Sequence, residues 1–72
     1  MKNNLKSIRA ERNLSQAQLA KMSGVSRATI NTVERGSVVP NSHTLLSISR
    51  ALQIPVEQIF SDFLLEEKNS NQ

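Results

Sequence analysis

From residue 4 to residue 60, apolar residues recur three and four apart, the period of a helix buried along one side. Residues that end helices interrupt the pattern repeatedly. Leu5 and Ile8 share one face of a first helix, with Arg9 beside them and Asn3 or Asn4 as its cap. It should stop near Arg12-Asn13, because Asn tolerates the left-handed conformation that follows a helix. Leu14 then turns inward. Ser15-Gln16-Ala17-Gln18 fits a capping box, in which a Ser hydroxyl takes a free N–H and a Gln three residues on reaches back. Leu19 and Met22 form the apolar stripe of this second helix, Ala20 is a small contact, and Gly24 ends it.

Ser26 caps a third helix over Arg27–Arg35, with Ile30 and Val33 facing in and Gly36 closing it. In the loop Ser37-Val38-Val39-Pro40, Pro40 pushes Val39 toward an extended conformation. Asn41 caps a fourth helix from about Ser42 to Leu52, whose stripe is Leu45, Ile48 and Leu52; Ser49 and Ala51 allow close approach. Pro55 suits the start of a short fifth helix, where a missing N–H costs little, with Val56, Ile59 and Phe60 on its apolar side. The expectation is an all-α, five-helix domain over residues 1–60. Residues 61–72 form a C-terminal extension, apolar at first and then a polar tail from Glu66 to Gln72.

Composition narrows the function by exclusion. The chain has 72 residues, room for one small core, and no cysteine, which excludes disulfides, thiolate zinc sites and cysteine chemistry. Its one histidine, His43, excludes a multi-histidine metal site within one chain. Phe60 and Phe63 are the only aromatics, too few for a surface that stacks single-stranded bases. Apolar runs such as Val38-Val39 and Leu45-Leu46 are far below the roughly 20 residues of a membrane span. No signal-peptide segment follows the N-terminus, so a cytoplasmic protein is expected. No nucleophile–base pair, paired acids or phosphate loop appears. No enzyme activity, catalytic residue, metal, cofactor or small-molecule ligand is therefore expected.

Charge is unevenly placed. Residues 1–53 carry eight Lys and Arg against Glu11 and Glu34. Residues 54–72 carry Lys68 against Glu57, Asp62, Glu66 and Glu67. A basic body with an acidic tail suits a polyanionic partner on one face.

Two short helices joined by a turn around Gly24, the second polar on its outer side, make the helix-turn-helix pattern. The run Leu14-Ser15-Gln16-Ala17-Gln18-Leu19-Ala20 resembles the second helix of lambda repressor-like, Cro/CI (XRE) domains. Gly24 to Gly36 resembles their turn and recognition helix. Pro40, the Leu45 to Leu52 helix and Ile54-Pro55-Val56-Glu57-Gln58-Ile59-Phe60 match the rest of that five-helix fold. The resemblance covers about residues 4–60, and its strength lies in the ordered set of spacings.

The resemblance implies a regulator of transcription that binds double-stranded DNA. It places Arg27, Ala28, Asn31 and Thr32 on base-facing positions, with Arg27 suited to guanine O6 and N7 and Ala28 to a thymine methyl. It places Gln16 and the start of its helix on a phosphate, gives Ser26 a cap with a phosphate bond in reach, and leaves Thr29 to serve that cap. Arg35, Ser37, Asn41 and His43 fall where the loop and the fourth helix meet the DNA backbone. Arg9 and Glu34 match an ion pair that links the first helix to the third. One departure is that Ser37-Val38-Val39 lacks the Lys or Arg that related repressors often place there. No sensing or protease-like domain follows residue 60, so a full-length two-domain phage repressor is not expected.

Ser61-Asp62-Phe63-Leu64-Leu65 is too apolar for a solvated tail. Phe60, Phe63 and Leu64 share one face if the fifth helix continues. They either fold back on their own core or, with Leu65, form the seam of a homodimer; the resemblance favours the seam, because small regulators of this kind often pair through this end. The leading expectation is a repressor that binds a near-palindromic operator as a homodimer. The alternative is an antitoxin-type protein-interaction module whose DNA binding is autoregulatory.

Overall fold

Capping residues set where the helices begin and end. In the structure, a computed structural model that describes residues 1–61 and residue 63, the helices are α1 (Leu5–Glu11), α2 (Gln16–Ser23), α3 (Arg27–Arg35), α4 (Ser42–Leu52) and α5 (Val56–Ile59). There is no strand among the described residues.

The capping box at α2 is complete. The Gln18 N–H donates to Ser15 Oγ at 3.0 Å, and the Ser15 N–H donates to Gln18 Oε1 at 2.7 Å. At α3 the Thr29 N–H donates to Ser26 Oγ at 3.1 Å, and the Ser26 hydroxyl donates to Thr29 Oγ1 at 2.8 Å. Asn41 caps α4 by accepting the Thr44 N–H at 2.9 Å. Gly24 and Gly36 stop α2 and α3 at φ of 75° and 73°, in the left-handed region where glycine meets no Cβ penalty.

Two further stops use residues with side chains, Asn13 and Gln53, both at φ 57°. Asn13 stands where the sequence places the stop of α1, whereas Gln53 is not a residue type that marks one. Tertiary bonds hold that corner. The Ser49 hydroxyl donates to Ile54 O at 2.6 Å, and Arg12 Nη1 donates to Leu52 O at 2.6 Å. A cation on the last carbonyls of α4 is also favourably placed against the helix dipole.

The core consists of Leu5, Leu19, Ile30, Val33, Leu45, Ile48, Leu52, Val56, Ile59 and Phe60. Burying each such side chain contributes about 1.5–3 kcal/mol. The i, i+3, i+7 spacing of Leu45, Ile48 and Leu52 aims all three at the centre, against α2 on one side and α5 on the other.

Two expectations are corrected here. Met22 is 51% exposed rather than part of the apolar stripe of α2. The inward arc of α2 is Gln16, Leu19, Ala20 and Ser23, at i, i+3, i+4 and i+7, and Met22 falls just off it. Phe60 cannot be a dimer contact, because its ring is fully buried in its own core. α5 ends at Ile59 and Phe60 adopts extended torsions, φ −114° and ψ 92°, so the helical register expected to align Phe60, Phe63 and Leu64 breaks there. Phe63 is half-buried and packs against the core. It also lines a cleft of about 150 Å³ with Ser42, Leu45, Leu46 and Val56. Leu64 and Leu65, and the acidic Asp62, Glu66 and Glu67, lie outside the described residues.

Candidate nucleic-acid interface

α2 and α3 pack together across the turn Gly24-Val25-Ser26, in which Val25 is half-buried against the core. On the outer face of α3, Arg27, Ala28 and, one turn on, Asn31 are exposed. Thr32 is half-buried, and its hydroxyl donates to Ala28 O at 2.9 Å. The Thr32 methyl and the Ala28 methyl therefore remain as the apolar elements of this face.

A chain of side-chain hydrogen bonds fixes α3 against the rest of the molecule. Arg9 and Glu34 form a two-pronged ion pair: Nε to Oε2, and Nη2 to Oε1 at 2.9 Å. The remaining Arg9 donor group, Nη1, reaches Leu14 O at 2.8 Å and closes the α1–α2 turn. Gln16 then adds a branch, its Nε2 donating to Glu34 Oε1 at 3.1 Å and to Asn31 Oδ1 at 3.2 Å. The Glu34 side chain is only 6% exposed. Burial alone would push its carboxyl up. The bonds from Arg9 and Gln16, with the charges of Arg9 and Lys6, outweigh burial and hold it below the ordinary carboxylate range. The bond to Glu34 raises Arg9 in turn, against the opposing effect of its own burial. Both groups are charged at neutral pH.

This network changes what Gln16 can do. Both N–H bonds of its amide are directed into the protein, so a phosphate at the start of α2 would meet the backbone N–H groups of Gln16 and Ala17, which lie in the first turn where helices have no internal partner. Ser26 is committed to its cap, as is Thr29. Arg35, Ser37, Asn41 and His43 are all exposed around the α3–α4 loop. Between α3 and the start of α4 lies a shallow groove of about 370 Å³, walled by Ala28, Thr32, Val38, Pro40 and Thr44. Val38 and Val39 are 45% and 63% exposed beside it.

Some contacts had no signal in the local sequence pattern. The Met1 amine donates to Gly36 O at 2.9 Å, and Asn3 Nδ2 donates to Val33 O at 2.9 Å. The Asn4 N–H donates to Ile59 O at 2.8 Å. Residues 1–4 thus seal the end of α3 and the end of α5. The Gln16–Asn31 link was equally invisible, because it joins residues on different helices.

The model of the helix-turn-helix family matches residues 5–59. The chain belongs to the Cro/CI-type helix-turn-helix family. This is a family of DNA-binding transcriptional regulators, which are not enzymes. The chain is 43% identical over 60 residues to an uncharacterized HTH-type transcriptional regulator of Methanocaldococcus jannaschii, covering 83% of this chain and 91% of that protein. It is 38% identical over 69 residues to the uncharacterized HTH-type transcriptional regulator YgzD of Bacillus subtilis, covering 96% of this chain and all of that one. Among solved structures it is similar to the P22 c2 repressor protein in complex with a synthetic operator, at 36% identity and a TM-score of 0.70, covering 76% of this chain and 83% of the repressor chain. No helix among the described residues is long and apolar enough to cross a membrane.

Proposed function

We propose that this protein is a sequence-specific repressor that binds a near-palindromic operator in double-stranded DNA as a homodimer, blocking a promoter by occupying it. One observation carries the reading: the similarity of fold and sequence to a repressor solved on operator DNA. In this reading α3 enters the major groove. Arg27 pairs bidentately with guanine O6 and N7, Ala28 meets a thymine methyl, and Asn31 and Thr32 meet the neighbouring bases. The start of α2 and the exposed Ser37, Asn41, His43 and Arg35 follow the phosphates, with Ser26 beside them.

The dimer seam lies at the C-terminal end, on Phe63, Leu64 and Leu65. The half-exposed Leu46 and the apolar cleft beside Phe63 support this placement. A two-fold pair sets two recognition helices about 34–36 Å apart, one turn of DNA.

Selection of bound sites from a random duplex pool tests the reading, together with sedimentation at micromolar protein. Two like half-sites spaced by one turn and a sedimenting dimer are expected. Arg27→Ala should weaken the selected site by about 1–3 kcal/mol and relax one base pair. No enriched sequence would overturn sequence-specific binding, and a single half-site bound by a monomer would overturn the dimer.

A further inference from the structure

We propose that the outer face of α4 receives the C-terminal segment of a second copy of this chain, with Arg50 of one copy pairing with Glu66 and Glu67 of the other beside an apolar centre at Leu46. The inference rests on the reading above, in which the protein is a homodimer joined at its C-terminal end. It adds the surface on which that end lands and the charges that select it.

The buried stripe of α4 leaves an opposite arc. Leu45, Ile48 and Leu52 point to the core, so His43, Leu46 and Arg50, at i, i+3 and i+7, share the outer side. Leu46 is 46% exposed, and His43 and Arg50 are exposed on either side of it. The Arg50 guanidinium has no ion pair among the described residues. The arc therefore offers an apolar centre with an unpaired cation one turn beyond it.

Phe63 brings the chain to the edge of this arc. It packs against the core and, with Leu46, lines the apolar cleft at the start of α4. By sequence the next residues are Leu64, Leu65, Glu66 and Glu67, two apolar and then two acidic. The surface carries the matching order, Leu46 and then Arg50. Three residues of chain span up to about 10 Å, and Arg50 stands about 6 Å along α4 from Leu46, so the segment is long enough to meet both.

Two-fold symmetry selects a second copy as the occupant. The same patch must face itself across the axis, so it has to be self-complementary. A patch with an apolar centre, a cation on one side and acids on the other meets that condition. Turned onto itself, it sets each Arg50 against the other copy's Glu66 and Glu67, with Leu46 and the open cleft between them. The cleft is also continuous with the seam proposed at Phe63, Leu64 and Leu65, so one contact covers both.

The test is sedimentation of the whole chain at micromolar protein, with thermal melts of each sample. Arg50→Glu alone, and Glu66→Arg with Glu67→Arg alone, each set like charges together in both halves of a pair. Either variant should raise the dimer dissociation constant about tenfold or more. The two variants mixed should pair with each other about as tightly as wild type. In the mixed pair every introduced charge faces its opposite in one half, and the native Arg50 faces the native Glu66 and Glu67 in the other.

Two variants that each remain as dimeric as wild type would overturn the docking surface while leaving the homodimer in place. Variants that lose the dimer and do not recover it on mixing would overturn pairing between copies; recovery only when all three substitutions share one chain would show the segment docked on its own α4. A wild type that sediments as a monomer would overturn the homodimer reading, and the proposal with it.

Discussion

The α2–α3 pair and the α4–α5 pair are held by different forces. α4 and α5, with Phe60, place six side chains in the core: Leu45, Ile48, Leu52, Val56, Ile59 and Phe60. α2 and α3 place only Leu19, Ile30 and Val33 there. They rely instead on the bonds among Arg9, Glu34, Gln16 and Asn31 and on the side-chain caps at Ser15 and Ser26. A helix whose outer face is polar has one narrow apolar stripe left for packing. Packing alone tolerates rotation about the helix axis. Directional hydrogen bonds do not, so the polar side supplies the angle and the apolar side supplies the stability.

Breaking each half in turn should separate these roles. Phe60→Ala should have the largest effect, about 3–5 kcal/mol, because a fully buried ring leaves a cavity. Measured by urea denaturation, this is a large share of the ~4–11 kcal/mol expected of a chain this size. Affinity for DNA should fall only as far as the folded fraction falls.

Glu34→Ala should cost about 2–3 kcal/mol, since it leaves Arg9 without its carboxylate and Gln16 without an acceptor. Here DNA affinity should fall further than the loss of folded protein accounts for, because α3 loses its angular restraint. Acid should mimic this variant. The Glu34 carboxyl sits below its usual value of 4.5 in the folded protein, so its contribution is complete above about that pH and is lost as pH falls through the lowered folded value. A melting-temperature series should show a wild-type decline below pH 4.5 that is reduced in Glu34→Ala.

Ser15→Ala and Ser26→Ala should each cost about 1 kcal/mol by removing a cap. Met22→Gln should change stability by less than about 0.5 kcal/mol, because Met22 stands in solvent; a larger loss would mean that α2 carries more apolar support than its inward arc shows.

What could be read from the sequence follows the same division. The caps at Ser15, Ser26 and Asn41 were legible because each acts within three residues of itself. The buried stripe of α4 was legible because three apolar residues fix one direction about an axis. Met22 misled because α2 has a single fully buried residue, Leu19, and one point cannot fix the centre of an arc. Phe60 misled because the pattern continued past the point where the helix stopped. The Arg9–Glu34 pairing came from the family resemblance rather than from spacing, and the Gln16–Asn31 bond was carried by neither. Gln53 in the left-handed region had no compositional mark, since the bonds that hold it come from Ser49 and from Arg12 on another helix.

The seam made by residues 1–4 bears on how the molecule comes apart. Each helix, at 4–11 residues, is shorter than the roughly 12–15 at which an isolated helix becomes even marginally stable in water. The Asn4–Ile59 bond closes a ring through the whole domain. Closing the longest ring carries the largest entropy cost, so this seam is expected to form late in folding and to open early in local fluctuation. Its opening takes the Met1 amine from Gly36 O and the Asn3 amide from Val33 O, which keeps the Gly36 N–H, at the far end of α3, and leaves the Ser26 cap at the near end untouched. Fraying of α3 should therefore start at the end remote from Arg27 and Ala28, with amide exchange fastest there while the residues proposed to meet the bases stay ordered.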